Sequence, residues 1–477
     1  MIPKIVWPGN RIKGNPFGGI DGFRPLTITF HSASFDNVSS EDKKALDILL
    51  LLAKREQINA MSFGGEISPK ISIELQRSEH DDFTIRVIGE NEKVLSGAWV
   101  PKSWIRNCLL QAMRIYSPQE EEKHTLVRQG LLEVGAHWTL KRDLFITGSQ
   151  FLIDKRDRLN ADLNIRTPLE ALKIVHLYLR TRNPYEWVAV VGKNKLLKLH
   201  DSFHESLAKA LLPNIYRYVS SLGLHSHHEE LTQLGRSIFN RCSRALQARD
   251  EIARLFYMRE TPGFVEIHSS NDQRIYHFDY LTLLLTAALD VEALVISQLY
   301  DFKTPTKRKV LSPGDCSFSA KRENFRTAIQ NEPRLRALED LLGRKKDYID
   351  ILFELRNKIH SISLEASFYL PDEDKDPYPL LNKIYKYDLV SHWGINISEK
   401  KIPLIKNNAP PVDVYDISIE IHTLAHHLID EGFDLIDKIM KETNIEPFLD
   451  PADIGKIQDK QASDDFTPTS ETCLLLG

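Results

Sequence analysis

Cysteine and methionine are scarce in this chain of 477 residues, which contains four of the first and five of the second. The cysteines lie far apart and form no CxxC pair or other spacing typical of metal ligands. This pattern argues against a disulfide framework, and we expect reduced thiols in a cytoplasmic protein. The four are Cys108, Cys242, Cys316 and Cys473.

Several catalytic and targeting signatures are also missing. The chain contains no phosphate loop, GxGxxG, GxSxG or HExxH sequence, which excludes the commonest nucleotide-binding, hydrolase and metalloprotease motifs. No apolar stretch approaches the ~20 residues that a membrane helix needs. Proline and glycine interrupt the first residues, MIPKIVWPGNRIKGNPFGG, so we do not expect a signal peptide.

The chain has no large excess of charge of either sign. It contains 62 Lys and Arg against 66 Asp and Glu, for a formal net charge of −4. Such a balance provides no overall attraction to nucleic acid or membrane, so any such binding must be local. A composition of 42% hydrophobic and 27% charged residues is ordinary for a globular protein. At ~150 residues per domain, the length predicts two or three domains.

Residues 1–200 are predicted to form a mixed α/β domain with a sensing or binding role. RPLTITFH alternates like a half-buried strand, and ISIELQR, FTIRVIG and KVLSGAW follow at short spacing, which predicts an antiparallel sheet. Two helices interrupt the strands. SSEDKKALDILLLLAKREQ begins with a serine cap, and TPLEALKIVHLYLRTRN has Thr167 as its cap and Pro168 in its first turn. EWVAVVG resembles a short buried strand.

Residues 201–445 are predicted to form an all-α domain, so the expected fold class is α+β. Pro213 interrupts the first helical segment, and FDYLTLLLTAALDVEALVISQLYDF is apolar enough to be buried almost all round. The proline-rich and charged stretch near 366–411 predicts an irregular insertion before the last helix. Residues 446–477 are polar and poor in aromatic residues, which predicts a disordered tail.

One helix of the C-terminal half combines an arginine and a histidine. In KKDYIDILFELRNKIHS, Arg356 and His360 are separated by four positions and therefore lie on one side of the helix. A guanidinium group matches the geometry of phosphate, and an imidazole can transfer a proton near neutral pH. A purely structural interpretation is equally physical, because the arginine could pair with a carboxylate and the histidine could cap a carbonyl. The predicted apolar stripe is Ile349, Leu352, Phe353, Leu355 and Ile359.

LDVEALVISQLYDF followed by LFELRNKIHS resembles the HEPN family of helical domains from prokaryotic defence, toxin and RNA-processing systems. The resemblance covers about residues 201–442. It implies a metal-independent endoribonuclease without a cofactor, with an active site that forms where two domains dimerise. Arg356 would then stabilise the pentacovalent phosphate, and His360 would act as general base or acid. Asn357 would be a supporting polar group, and Glu292 would match the acidic residue of the preceding helix.

The spacing of this motif differs from the family pattern. The family usually has four to six residues between the arginine and the histidine, whereas three intervene here. One residue fewer turns the histidine by ~100° around the helix. Two hypotheses therefore remain open. The chain is either a HEPN-type endoribonuclease or a non-catalytic dimerisation and RNA-binding scaffold of the same family.

A basic segment precedes the motif helix and is a candidate RNA-binding region. From Lys303 to Lys346, twelve Lys and Arg face five Asp and Glu, for a local charge of +7. Such a concentration of cations could engage a phosphate backbone, although a solvated loop is an equal alternative. Phe318 and Phe325 are the few aromatic residues there that could stack on bases. The candidate RNA-binding residues are Lys307, Arg308, Lys309, Lys321, Arg322 and Arg326.

Histidine-rich stretches suggest metal binding only weakly. His422, His426 and Asp430 lie at i, i+4 and i+8, but no fourth ligand is visible. LHSHHEE resembles an exposed connection between helices. We expect no metal at either place. The expected partners are RNA, a second copy of the chain through the helical domain, and a protein or small-molecule trigger at the N-terminal domain, with no membrane partner.

Overall fold

The structure is a computed structural model. It describes residues 24–63, 72–77, 83–88, 94–100, 129–137, 140, 142–159, 164–183, 187–191, 195–199, 202–224, 229–257, 264–303, 310–319, 322–361, 365–369, 386–390 and 418–449.

A seven-stranded mixed sheet organises the N-terminal half, with the strand order β5-β4-β3-β2-β1-β6-β7. Strands β3, β2, β1, β6 and β7 run parallel, and β4 and β5 extend the sheet in antiparallel fashion. The predicted antiparallel sheet is therefore wrong for the centre and right for one edge. The strands are β1 (Leu26–His31), β2 (Ile58–Phe63), β3 (Ser72–Arg77), β4 (Phe83–Ile88), β5 (Val94–Val100), β6 (Leu144–Ile146) and β7 (Ile165–Arg166).

Helices cover both faces of this sheet. Helices α1 (Ser40–Leu52) and α4 (Pro168–Arg182) share a core with the apolar residues of β1. A helix at 129–137, here α2, and α3 (Gln150–Leu159) cover the opposite face. Both predicted caps are confirmed. Ser39 accepts a hydrogen bond from the backbone of α1, and Thr167 forms a reciprocal capping box with Glu170.

The central strand β1 is buried on both faces, although its sequence alternates. Its apolar residues contact α1 and α4, while Thr27, Thr29 and His31 lie under the second layer of helices. The hydroxyl groups of Thr27 and Thr29 bond to Asp143 and His137. The expectation of a half-exposed strand is wrong, because these hydrogen bonds make the polar face compatible with burial.

The C-terminal half is mostly helical, as predicted, and its apolar side chains form one continuous core. The predicted interruption at Pro213 is confirmed, since one helix ends before it and the next begins after it. The helices are α5 (Phe203–Leu211), α6 (Ile215–Leu224), α7 (Glu229–Tyr257), α8 (Phe264–Leu299), α9 (Glu323–Gln330), α10 (Arg336–Arg344), α11 (Lys346–Ser361) and α12 (Ile421–Glu442).

Helix α8 is the central element of this half and packs against α7, α11 and α12. Its segment Asp272–Leu299 is long and apolar enough to cross a membrane, judged by length and composition alone. The sequence expectation that no stretch reaches that length is thus wrong by this measure. Of the apolar window, 67% is buried within the fold, which is also the property of a core helix in a large helical domain.

Short strands also occur outside the large sheet. Strands β8 (Trp187–Val191) and β9 (Lys195–Leu199) form a hairpin, so the predicted strand at EWVAVVG is confirmed. Strands β10 (Glu365–Tyr369), β11 (Lys386–Val390) and β12 (Ser418–Glu420) form a small antiparallel sheet. The helical half is therefore not purely α, and part of the predicted irregular insertion is strand.

The first residues of the predicted disordered tail, 446–449, are part of the folded structure. A short 3-10 turn spans Glu446–Phe448, and the ring of Phe448 packs edge-on against Tyr300 with centroids 5.0 Å apart. Arg334 lies over both rings. These contacts anchor the start of the segment on the helical core. The rest of the predicted tail lies outside the described residues.

A buried ionic cluster joins the two halves of the chain. Arg180 of α4 forms two hydrogen bonds of 2.7 and 2.9 Å with the carboxylate of Asp250 on α7. Arg249 and His204 bond to the same carboxylate at 2.9 and 3.0 Å. These contacts and the cations keep the pKa of Asp250 well below its usual range, despite the opposing effect of burial. The cluster fixes the sheet domain against the helical domain.

Candidate functional site

The motif helix α11 is continuous from Lys346 to Ser361. The predicted apolar stripe is confirmed, since Ile349, Leu352, Phe353 and Leu355 are buried and Ile359 packs against the core. Arg356 and His360 lie about one turn apart on one side of this helix.

The three motif side chains differ in exposure. Arg356 is partly buried, whereas Asn357 and His360 are exposed. The imidazole therefore lies at the protein surface, close to a guanidinium group that the fold holds in place. This arrangement suits a large external substrate better than a ligand enclosed in the core.

Arg356 forms an ion pair with Asp290 of α8. Its Nη1 lies 3.3 Å from Oδ2 of the carboxylate, and the two side chains are 35% and 27% exposed. The guanidinium carbon is also 5.8 Å from the ring centre of Phe353. The predicted pairing of the arginine with a carboxylate across the bundle is thus confirmed, and the pair remains open to solvent.

Two further arginines act on the same carboxylate. Burial raises the pKa of Asp290, while the nearby Ser317 hydroxyl and the charges of Arg356, Arg322 and Arg241 lower it. Atom Oδ1 of Asp290 is buried without a hydrogen-bond partner. The three cations come from α11, the N-terminal end of α9 and α7. Burial outweighs these effects, so the pKa of Asp290 stays above its ordinary value, and of the three cations Arg356 is the one within ion-pair distance.

Glu292 does not lie beside Arg356, so its predicted role as the acidic partner of the motif is wrong. It lies two positions after Asp290, and two positions turn a helix by ~200°. Its side chain is fully buried on the opposite side, where the Tyr218 hydroxyl donates a 2.5 Å hydrogen bond to Oε2. Burial raises the pKa of Glu292 to about 8, and the negative charge of Asp437 contributes. Glu292 is a core residue.

The sequence contains a signal that distinguishes the two acids. At ~100° per residue, Asp290 falls on the same side of α8 as Tyr276, Tyr280 and Gln298. All four are exposed or partly exposed. Glu292 falls among Ala288, Leu289 and Val295, which are buried.

Three cations of the basic segment are paired with acids within the fold. Lys303 pairs with Asp301, Arg334 with Glu332, and Lys345 with both Glu431 and Asp434. The solvated-loop alternative thus holds for these residues.

Of the six candidate RNA-binding residues, two are described. Arg322 is exposed at the N-terminal end of α9, and Arg326 is partly exposed one turn later. Arg322 is the one whose charge acts on the Asp290 carboxylate. The candidates Lys307, Arg308, Lys309 and Lys321 lie outside the described residues.

Phe318 and Phe325 are not available for base stacking. Both are buried, with their rings 5.7 Å apart, and Phe325 also packs against Phe302 at 6.0 Å. The suggestion that they stack on bases is therefore wrong. Instead, both rings belong to the core of the helical half.

A second polar cluster lies in the N-terminal half, at the carboxyl ends of β1 and β6. The chain order reverses between these two strands, which is where parallel α/β sheets commonly bind ligands. His31 Nδ1 is 2.8 Å from Thr147 Oγ1, and His31 Nε2 is 3.5 Å from Glu133 Oε2 of α2. Sequence reasoning did not identify this cluster, since its residues lie more than one hundred positions apart.

The hydroxyl groups of this cluster define the tautomer of the His31 imidazole. The Ser34 hydroxyl donates to the His31 carbonyl, and the Thr147 hydroxyl donates to Ser34. Thr147 therefore accepts from His31 Nδ1–H, which leaves Nε2 as an acceptor facing Glu133. Burial raises the pKa of Glu133 to about 7 and lowers that of His31 to about 4. Between about pH 4 and pH 7, the Glu133 carboxyl group is therefore protonated and the His31 imidazole is neutral.

The thiols and histidines add no metal centre within the described ranges. Cys242 and Cys316 are free and buried, while Cys108 and Cys473 lie outside those ranges. No group of three or more His, Cys, Asp or Glu among the described residues is arranged to hold a metal ion.

The comparisons with known proteins do not place this chain in a family. No family model matches its sequence, and neither the curated proteins nor the solved structures contain a match.

Proposed function

We propose that this protein is a cytoplasmic, metal-independent endoribonuclease of HEPN type, of the kind used in prokaryotic defence or toxin-like systems. Arg356, Asn357 and His360 form its reactive group, and Asp290 replaces Glu292 as the acidic partner. One observation supports this assignment above the others. The solvent-accessible Arg356 is paired with Asp290 across two helices, one turn from the exposed His360.

In the proposed reaction, the ribose 2′-hydroxyl attacks the adjacent phosphorus. A bond forms between O2′ and phosphorus, and the bond from phosphorus to O5′ breaks. The products are a 2′,3′-cyclic phosphate and a 5′-hydroxyl end. Arg356 stabilises the charge of the pentacovalent phosphate through paired N–H donors. His360 removes the proton from the 2′-hydroxyl or donates a proton to O5′.

A dimer would supply both proton-transfer groups. Each chain contributes one imidazole at this position, and the reaction needs a base on one side of the phosphate and an acid on the other. Two copies that bring their α11 helices together would place two His360 side chains at one phosphodiester. The exposure of His360 and Asn357 is compatible with such an arrangement.

The test is incubation of purified protein with mixed RNA in the presence of EDTA. We expect chelator-resistant cleavage that leaves cyclic phosphate ends, and loss of cleavage in Arg356→Ala and His360→Ala. Glu354→Gln on the same helix is a matched control and should cleave like the wild type. Cleavage that persists in both alanine variants would contradict the assignment.

One observation favours the alternative of a non-catalytic RNA-binding scaffold. Helix α11 is regular from Lys346 to Ser361, without a bulge that would compensate for the short spacing between Arg356 and His360. Under this alternative the chain dimerises and binds RNA without cleaving it. RNA binding without cyclic phosphate products at any protein concentration would support the scaffold.

The N-terminal half would act as the regulator, with its trigger site at the carboxyl ends of β1 and β6. The buried Glu133 Oε2 and Ser32 Oγ have no hydrogen-bond partner there. The Arg180–Asp250 cluster connects this half to α7, the helix that carries Arg241. A trigger that shifts the sheet domain would thus act on the candidate active site through one rigid helix.

A further inference from the structure

Helix α8 exposes one long stripe of side chains. Tyr276 is 66% exposed and Tyr280 is 37% exposed, and the partly exposed Leu283, Ala287 and Asp290 follow at helical spacing. Helices α7, α11 and α12 pack against other sides of the helix. The stripe thus connects two exposed aromatic rings with the Asp290–Arg356 pair. Tyr280 lies ~15 Å and Tyr276 ~21 Å from Asp290 along the helix axis.

The Asp290 end of the stripe has an excess of cations. Arg356 on α11 lies 3.3 Å from the Asp290 carboxylate, and the charges of Arg241 on α7 and Arg322 before α9 also act on that carboxylate. Arg241 donates its Nε–H to the Ser237 hydroxyl at 3.2 Å. This bond orients the guanidinium from α7, while its two terminal amino groups can still contact a ligand. Guanidinium groups from three helices that act on one place favour the binding of a phosphate group.

We infer that this stripe is the binding track for single-stranded RNA, with Arg241 and Arg322 as phosphate-binding residues and Tyr280 and Tyr276 as stacking platforms for bases. The inference rests on the proposed function and adds Arg241, Tyr276 and Tyr280 to the candidate RNA-binding residue Arg322. Arg241 and Arg322 hold the phosphodiester at Arg356, and the two tyrosine rings bind bases several nucleotides away. Aromatic stacking and backbone cations together are typical of single-strand recognition. A rigid duplex cannot place unpaired bases on the tyrosine rings.

The experiment measures the binding of a fluorescent single-stranded RNA to His360→Ala protein in EDTA, so that cleavage does not interfere. We expect Arg241→Gln with Arg322→Gln to weaken binding at least tenfold. The slope of log affinity against log salt should fall by ~0.7 for each phosphate contact removed. Arg236→Gln is the matched control, since it removes an exposed arginine from a different face of α7.

The tyrosines are tested in the same assay. Tyr280→Ala and Tyr276→Ala should each weaken binding about fivefold or more, while the phenylalanine variants, which keep a stacking ring, should bind like the parent. Tyr216→Ala is the matched control, because Tyr216 is 47% exposed on α6, away from the stripe. Circular dichroism and thermal melting confirm that each variant is folded.

The outcomes separate this inference from the proposed function. Unchanged affinity in the arginine and tyrosine variants would overturn the track, and the nuclease proposal would stand if wild-type protein still cleaves RNA in EDTA. If the arginine and tyrosine variants lose RNA affinity as expected but the wild-type protein does not cleave RNA, the binding track is supported and the nuclease proposal is refuted. Equal affinity for a duplex of the same sequence, or no binding of the single strand, would also overturn the track.

Discussion

Arg356 on α11 and Asp290 on α8 form an ion pair whose charged atoms lie 3.3 Å apart, on a surface that remains partly open to solvent. An exposed pair of this kind contributes only ~0–1 kcal/mol to stability. Its main physical effect is on orientation, because it fixes a long flexible side chain in one direction. The pair therefore matters more for what Arg356 can bind than for the stability of the fold.

The first prediction distinguishes Asp290 from Glu292. Asp290→Asn removes the carboxylate and leaves Arg241, Arg322 and Arg356 without a counter-charge. We expect tighter RNA binding at low salt, together with cleavage at least tenfold slower because Arg356 loses its orientation. Glu292→Gln should leave cleavage within twofold of wild type. Single-turnover cleavage and equilibrium binding measure the two effects. A folded Glu292→Gln protein without activity, beside an active Asp290→Asn protein, would reverse the assignment.

The second prediction concerns the pH dependence caused by Glu292. Its pKa is about 8 in the folded protein, against an ordinary value of 4.5. The folded state therefore binds more protons between these values, and the free energy of unfolding falls as pH rises from about 4.5 to about 8. The slope reaches at most ~1.4 kcal/mol per pH unit.

Glu292→Gln removes this slope, because glutamine does not titrate and still accepts the hydrogen bond from Tyr218. We expect its stability relative to wild type to rise steadily between pH 5 and pH 8 in urea unfolding. Asp340→Asn, at an exposed position of α10, provides the control. A stability difference that stays constant over this range would show that Glu292 is ionised in the folded protein.

Local sequence signals predicted the helices of this fold well. The caps at Ser39 and Thr167, the break at Pro213 and the apolar stripe of α11 depend on residues within a few positions of one another. Such signals need no knowledge of the rest of the chain. The motif helix itself was therefore visible in the sequence.

Long-range structure was harder to predict, for two physical reasons. The alternating polar residues of β1 indicated a face exposed to solvent. However, Thr29 and His31 form hydrogen bonds with residues that lie more than one hundred positions away in the sequence. Likewise, the acidic partner of Arg356 depends on which side of α8 faces α11, a property of packing. Asp290 and Glu292 differ in that property although only one residue separates them.

The third prediction concerns the junction between the two halves. Asp250→Ala leaves the buried Arg180 and Arg249 without their shared carboxylate, which destabilises a protein by ~3–5 kcal/mol. We expect the free energy of unfolding, measured in urea, to fall by this amount. The two halves should also no longer unfold in one transition. Glu332→Ala removes an exposed partner of Arg334 and should change stability by less than ~1 kcal/mol. Equal effects of the two substitutions would contradict the structural role of the cluster.

The fourth prediction uses the His31–Glu133 pair. The pKa of Glu133 is about 7, against an ordinary 4.5, so its contribution to stability falls as pH rises through that interval. The pKa of His31 is about 4, against an ordinary 6.5, so its contribution falls as pH decreases from 6.5 to 4. The two slopes have opposite signs and largely cancel between pH 4.5 and pH 6.5 in the wild type.

Single substitutions should therefore expose opposite slopes. In Glu133→Gln, only the contribution of His31 to the pH dependence remains. We expect this variant to lose stability relative to wild type as pH falls from 6.5 towards 4. In His31→Gln, only the contribution of Glu133 remains. This variant should lose stability relative to wild type as pH rises from 4.5 to 7. Each slope is at most ~1.4 kcal/mol per pH unit. Urea unfolding at pH 4.5, 5.5 and 6.5 measures both slopes, and slopes of the same sign would contradict the opposite pKa shifts of the two groups.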